Sequence, residues 1–431
     1  MTTLSAKKVN AVLEHVDEAA RVAPTSLQPG ARRPVHVVYG GAHLFAPDTP
    51  AKLGRLALAS LDANTKDFAR AIGIDDAALA ADVLARVRRK LETDPVEALC
   101  IDFEDGFGER GDGEESAHAV RTAEALASIA DGRPHIGIRI KALSGASGRR
   151  AVKTLDLFIT ALAKARGPAL REGFTVTLPK VSRPAEVLAL VELLEMLEGA
   201  LGIKNGRIGI ELMIETPRAV IDDDGRVAAV ALVNAARGRC RAVHLGAYDL
   251  TASVGVAASD QRLDHPICDA ARVLLAVALA DRHVGLSDGV TTLLPQKDAA
   301  YEGWKLHATN VRRALEVGIW QGWDVHPAQL PARYGALFAY FRKERTPLAT
   351  RLSTFVERAT RASRTGSVFD DAATAQGIVS FFVRGLACGA LDDSDVAATT
   401  LSRLELETRS FAEMVYARAN AELNPPSSPA R

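Results

Sequence analysis

Eight short, nearly continuous apolar runs, separated by stretches long enough for helices, constrain the fold of this chain more than any other feature. They occupy residues 35–39, 98–103, 135–140, 174–178, 208–214, 242–245, 284–290 and 319–325. Continuous apolarity, rather than alternation, marks strands covered on both faces, as in a parallel sheet wrapped by helices. Between the runs, residues 51–61, 185–197 and 264–281 carry apolar side chains at spacings of three and four, the helical period. Strand and helix repeated eight times within about 300 residues match an α/β fold of the TIM (β/α)8 barrel type, with a doubly wound open sheet as the main alternative.

The pattern changes after the eighth run, where only helical periodicity is visible from Tyr334 to Ala419. The expected organisation is an N-terminal helix and approach segment at 1–34, a barrel at 35–333, a helical C-terminal extension at 334–423 and a disordered tail at 424–431. That tail, Asn424-Pro-Pro-Ser-Ser-Pro-Ala-Arg431, has nothing to bury. A long insertion at 46–95 separates the first two runs and is expected to cover the barrel mouth or form a subunit contact.

Charge and cysteine content narrow the function. The 53 basic residues balance 53 acidic ones, so no long-range field draws a polyanion, and neither nucleic acid nor membrane is an expected partner. Cys100, Cys240, Cys268 and Cys388 are widely spaced, which fits a reducing cytoplasm rather than a disulfide scaffold. Residues 1–22 read as an amphipathic helix carrying Lys7, Lys8, Glu14, Asp17 and Glu18, not as a signal core, and no apolar stretch reaches membrane-spanning length.

In a barrel of parallel strands, side chains at the C-terminal strand ends converge on one mouth. The ends of the runs here are rich in charge: Asp102-Phe-Glu104-Asp105 in the second, Arg139 and Lys141 in the third, Lys180 in the fourth, Glu215 in the fifth, Asp249 in the sixth and Asp324 in the eighth. Glu215 and Asp249 are the candidate metal ligands. Two carboxylates suffice for Mg2+ or Mn2+, because such an ion fills its other positions with water and substrate oxygens. Glu211, inside the same run as Glu215, reads as a structural ion-pair partner. His43, His244, His307 and His326 show no zinc-type spacing and read as core or loop histidines.

Five segments then carry a resemblance. Cys100-Ile-Asp-Phe-Glu-Asp-Gly, Thr177-Leu-Pro-Lys-Val, Leu212-Met-Ile-Glu-Thr-Pro, Gly246-Ala-Tyr-Asp-Leu-Thr-Ala-Ser-Val-Gly and Trp323-Asp-Val-His-Pro-Ala-Gln resemble, in order, segments of the HpcH/HpaI aldolase and citrate lyase beta-subunit superfamily. The resemblance implies a metal-dependent carbon-carbon lyase or aldolase on a TIM barrel. Glu215 and Asp249 match that family's metal ligands, and Arg139 its arginine that grips the substrate oxygens. Lys141, standing where the family often has Asn, is expected to bind substrate with Arg139, Gly246 and Ala247, while Glu104, Asp105 and Lys180 are expected to act beside the metal, the acids through water. Ser367-Val-Phe-Asp-Asp-Ala-Ala-Thr-Ala-Gln resembles a segment of malate synthases in which Asp371 falls on the catalytic base; Asp371 as a helix N-cap is the alternative.

The expected chemistry passes through a metal-bound enolate of a small 2-oxo acid such as pyruvate, oxaloacetate or glyoxylate, or of a related acyl-CoA. An aldehyde or acyl thioester is the expected second substrate. The start of the barrel, Val35-His-Val-Val-Tyr-Gly-Gly, departs from the Leu-Phe-Val-Pro-Gly type of citrate lyase beta chains, which weakens the expectation of coenzyme A. Alternatives are a phosphoenolpyruvate/pyruvate-type phosphotransferase and a non-catalytic barrel with a binding role. The resemblance also implies a homo-oligomer, trimer or hexamer.

Overall fold

The computed structural model describes residues 33–132, 134–280, 282–365 and 372–423, together with Asn10, Leu13 and Glu14. The expected tail, Asp371 and nearly all of the expected N-terminal helix lie outside the described residues. Each apolar run forms one strand, with ends within two residues of those expected. The strands are β1 (His36–Gly41), β2 (Ala98–Asp102), β3 (His135–Arg139), β4 (Thr175–Leu178), β5 (Gly209–Ile214), β6 (Cys240–Leu245), β7 (Gly285–Val290) and β8 (Gln321–Asp324). They run parallel in sequence order and close as a barrel, β8 pairing with β1 through His36 beside Gly322 and Val38 beside Asp324.

Period-two alternation along each strand divides the wall into two faces. Outward side chains, among them Ile101, Ile138, Val176 and Leu212, join one core with the surrounding helices. Inward ones form a smaller apolar group of Val37, Tyr39, Ala98, Cys100, Met213, Val290 and Trp323. Burial on both sides is the physical reason the runs read as continuous. Each fully buried large apolar side chain contributes about 1.5–3 kcal/mol, and the outer core holds Phe103, Phe158, Phe174 and Trp304 with at most 2% of their surface exposed.

Helices α1 (Thr49–Ala63), α2 (Thr65–Ala71) and α3 (Ala77–Thr93) fill the insertion between β1 and β2. Then α4 (Asp112–Ala127), α5 (Gly148–Arg166), α6 (Pro184–Ala200), α7 (Pro217–Val220), α8 (Ala228–Ala235), α9 (Ala247–Ser253), α10 (Pro266–Leu279) and α11 (Ala300–Glu316) accompany the later strands. After β8, α12 (Leu330–Thr365) runs for 36 residues with Pro347 inside it, and α13 (Ala372–Cys388), α14 (Asp393–Ala397), α15 (Arg403–Thr408) and α16 (Phe411–Leu423) pack behind it.

The insertion lies along the side of the barrel. Phe68 of α2 meets Trp304 of α11 edge-on, with centroids 6.0 Å apart. Phe68 and Ile72 also press against Gly335 of α12, where an added Cβ would come within 2.9 Å of the Phe68 ring. Buried Arg342 of α12 ties the two regions together, donating at 2.6 Å to both Asp82 of α3 and Asp395 of α14. Among the described residues, no helix is long and apolar enough to cross a membrane.

Candidate active site

Arg139 ends β3 and points into the barrel by the same alternation that places Gly137 inward. Parallel register sets it beside Asp102, the last residue of β2. Its Nε donates to Asp102 Oδ1 at 2.7 Å and its Nη2 to Oδ2 at 2.5 Å, a two-pronged arrangement suited to a planar guanidinium. The Tyr39 and Trp323 rings lie 5.0 and 5.4 Å from its Cζ. Burial opposes this charge, but Asp102 more than compensates and raises the guanidinium well above its usual pKa. Nη1 makes no well-directed hydrogen bond, and lies 3.1 Å from Glu104 and 3.5 Å from Asp105.

Asp102 also shapes the loop that follows. Its two oxygens accept from the backbone N–H of Glu104 at 2.9 Å and of Gly106 at 2.7 Å. A Cβ at residue 106 would stand 2.6 Å from Asp102 Oδ2, so only glycine closes this turn. Glu104 and Asp105 are thereby presented between Arg139 and Lys180. Burial raises the Glu104 carboxyl despite Arg139; burial pushes Asp105 the same way, yet Arg139 and Lys180 prevail and lower it.

Pro179 follows the last residue of β4, and Lys180 adopts a left-handed backbone with φ of 53°, unusual for a side chain of this size. The turn aims the Lys180 N–H at Glu215 Oε1, 2.6 Å away. The Lys180 ammonium meets Glu104 and lies 3.5 Å from Asp105 and 3.6 Å from Asp249. Burial opposes its charge, but Glu104 and Asp105 raise its pKa and hold it protonated.

Glu215 follows β5 because Thr216 caps α7 and Pro217 starts it. Its carboxyl is almost wholly buried and is raised to about 7, first by burial and then by the like charge of Asp249. Asp249, in the first turn of α9, is half-exposed. Gly246 packs directly on Glu215: a Cβ there would stand 2.4 Å from that side chain. Ala247 is buried at the start of α9.

The structure thus gathers Arg139, Glu104, Asp105, Lys180, Glu215 and Asp249 at one mouth, with Gly246 beneath. Lys141 sits in a neighbouring cluster, donating to the Phe103 carbonyl at 2.9 Å and lying 3.7 Å from Glu115, which also pairs with Arg150. His244 and His307 are fully buried, and His326 caps the turn after β8. The sequence places Asp102 among the strand-end charges without assigning it a role, and does not single out Tyr39 or Trp323 as site residues. The available signal was strand parity, which points Tyr39 and Gly41, Cys100 and Asp102, and Gly137 and Arg139 inward together.

Among the described residues, no group of three or more His, Cys, Asp or Glu side chains is placed to hold a metal. Two hard carboxylates with water and substrate oxygens meet the needs of Mg2+. The buried Glu215 carboxyl, repelled by Asp249, is where a cation would remove an electrostatic penalty. The donor set therefore fits such an ion.

In its fold the chain is similar to the citrate lyase of Burkholderia xenovorans LB400, with a TM-score of 0.54 and 20% identity over 88% of this chain and 98% of that one. Weaker similarity extends to the Mycobacterium tuberculosis citrate lyase beta subunit complexed with oxaloacetate and magnesium, with a TM-score of 0.40 and 18% identity over 70% of this chain and 96% of that one. Haloferax volcanii malate synthase, in a magnesium and glyoxylate complex, gives a TM-score of 0.46 and 13% identity over 70% and 74% of the two chains. No curated protein matches the sequence. The profile of a family described as a domain of unknown function (DUF6986) matches residues 16–414, so the chain belongs to the DUF6986 family.

Proposed function

We propose that this protein is a divalent-cation-dependent carbon-carbon lyase or aldolase acting on a small 2-oxo acid. The observation that carries the reading is the buried Glu215 carboxyl beside Asp249, at a mouth shared with the fixed charge of Arg139 and with Lys180. Glu215 and Asp249 would hold Mg2+ or Mn2+, and the ion would neutralise negative charge developing on a substrate oxygen.

The chain's own groups have separable tasks. Arg139 cannot swing away, because Asp102 holds two of its nitrogens and the Tyr39 and Trp323 rings flank it; Nη1 is the donor facing the mouth. It serves as a preorganised cation for a carboxylate or keto oxygen. Lys180 fixes Glu215 through its backbone and Glu104 through its ammonium. A lysine held protonated in this way is a poor amine nucleophile, which favours charge stabilisation over Schiff-base chemistry. Asp371, outside the described residues, is the proposed base that takes the proton from the carbon next to the carbonyl.

Proton-deuterium exchange at the pyruvate methyl group, followed by NMR with and without Mg2+ or Mn2+, tests the reading before the second substrate is known. Metal-dependent exchange that disappears in Glu215→Ala and Asp249→Ala is expected. Exchange that persists unchanged in both variants would remove the metal site from the mechanism.

A further inference from the structure

The opposite end of the barrel holds a cavity. TIM barrels fill their interior with layers of bulky side chains, but here small residues line the lower interior: Ala98, Gly137, Ala242 and Gly285. They leave a cavity of about 470 Å³ near the N-terminal strand ends, within the roughly 300–1,000 Å³ of small-molecule sites.

Its charges are arranged by depth. Arg33 precedes β1, Arg241 is the exposed second residue of β6, and His283 is exposed just before β7. Glu211, the only carboxylate in the lining among the described residues, lies two residues inside β5, about 7 Å in at the rise of a strand. It accepts from the Thr177 hydroxyl at 2.9 Å. It also lies 3.7 Å from Nε2 of fully buried His244, an atom with no hydrogen-bond partner. On the cationic side, Arg33 makes no ion pair with an acid among the described residues, and burial lowers its pKa. Arg384 stacks on Trp320 at 4.6 Å, and burial with the neighbouring charge of Arg33 pushes it down to about 10.

We infer that this lower cavity binds a small amino carboxylate, its carboxylate held by Arg33 and Arg241 at the opening and its ammonium by Glu211 inside. An apolar chain between the two charges would lie against the wall of small residues. Neither end of this ligand uses the groups at the upper mouth, so the inference stands apart from the lyase reading.

The probe is 6-aminohexanoate, whose charge separation suits the depth of Glu211, titrated calorimetrically into the full chain, with hexanoate as the amine-free control. Binding of 6-aminohexanoate is expected, with hexanoate, Glu211→Gln and Arg241→Ala each about tenfold weaker, the scale of one charge-assisted contact. Gly285→Val should weaken binding by narrowing the cavity; a Cβ there meets nothing closer than 3.4 Å, and an unchanged circular dichroism spectrum would show that the fold is kept. Asp249→Ala should bind the probe as the native chain does. No heat of binding, equal binding of hexanoate, or binding undiminished in both Arg241→Ala and Gly285→Val would overturn the proposal.

Discussion

At the scale of single residues, the mouth is governed by which charges are paired and which are left exposed to one another. Arg139 is fully buried and depends on Asp102 for two hydrogen bonds. Asp102→Asn keeps the shape but removes the countercharge, and breaking a buried pair in this way typically costs about 3–5 kcal/mol; denaturant unfolding should register that loss. Glu215 behaves in the opposite sense. Its folded pKa, raised from 4.5 to about 7, means that its contribution to stability is present below pH 4.5 and is lost as pH rises through 7. In the metal-free protein, Glu215→Gln should therefore raise the melting temperature at pH 8 and leave it nearly unchanged at pH 4.5. The gain is of order 3 kcal/mol at most, and a melting series across pH measures it. A gain of the same size at both pH values would show that Asp249 and burial do not disfavour the Glu215 charge.

At the scale of elements, the helical extension is anchored to the barrel by side chains distant in sequence. Arg342 of α12 is only 6% exposed and bonds Asp82 and Asp395 on two other helices. Phe341 adds a ring contact with Phe381 of α13 at 4.8 Å. Arg342→Ala leaves partly buried Asp395 with Arg345, 3.3 Å away, as its remaining cation. The expected result is loosening of α13 to α16 at a cost of about 1.5–3 kcal/mol, the scale of hydrogen bonds to charged groups, seen as faster limited proteolysis in the extension than in the barrel. Uniform protection would mean that the apolar contacts of α12 suffice. The same scale explains why α1 to α3 lie along the side of the barrel: Phe68 and Ile72 have an apolar surface on α11 and α12, and Gly335 leaves them room.

For the whole molecule, acid sensitivity arises from interior histidines. His244 and His307 are fully buried, and burial holds both below the usual 6.5. Each stays neutral in the fold but binds a proton when unfolded, so stability is full above pH 6.5 and falls as pH drops below it. Asp324, held well below its usual range by Arg333, His307 and His36 in spite of burial, adds a further loss only below about pH 4. In Glu215→Gln, where one of the carboxylates that oppose this trend is removed, the melting temperature should decline more steeply from pH 7 toward pH 5 than in the native chain. Adding His244→Gln should lessen the decline; an unaltered slope would assign it elsewhere.

Much of this organisation is written in local pattern. Eight doubly covered strands leave continuous apolar runs whatever their neighbours are, so the strands and the strand ends that bear Glu215 and Arg139 follow from the sequence alone; a barrel and a doubly wound open sheet both satisfy that pattern, and the pairing of β8 with β1 decides for the barrel. Strand termini chosen by Pro179, Thr216-Pro217 and Gly246 are equally local. Pairing across the barrel is not local. Asp102 finds Arg139 through parallel register, Lys180 reaches Glu215 through one left-handed residue, and Lys141 turns toward Glu115 on a helix. Only the closed barrel decided those partners, and only closure turned four scattered small residues into one cavity, because a shared interior is a property of all eight strands at once.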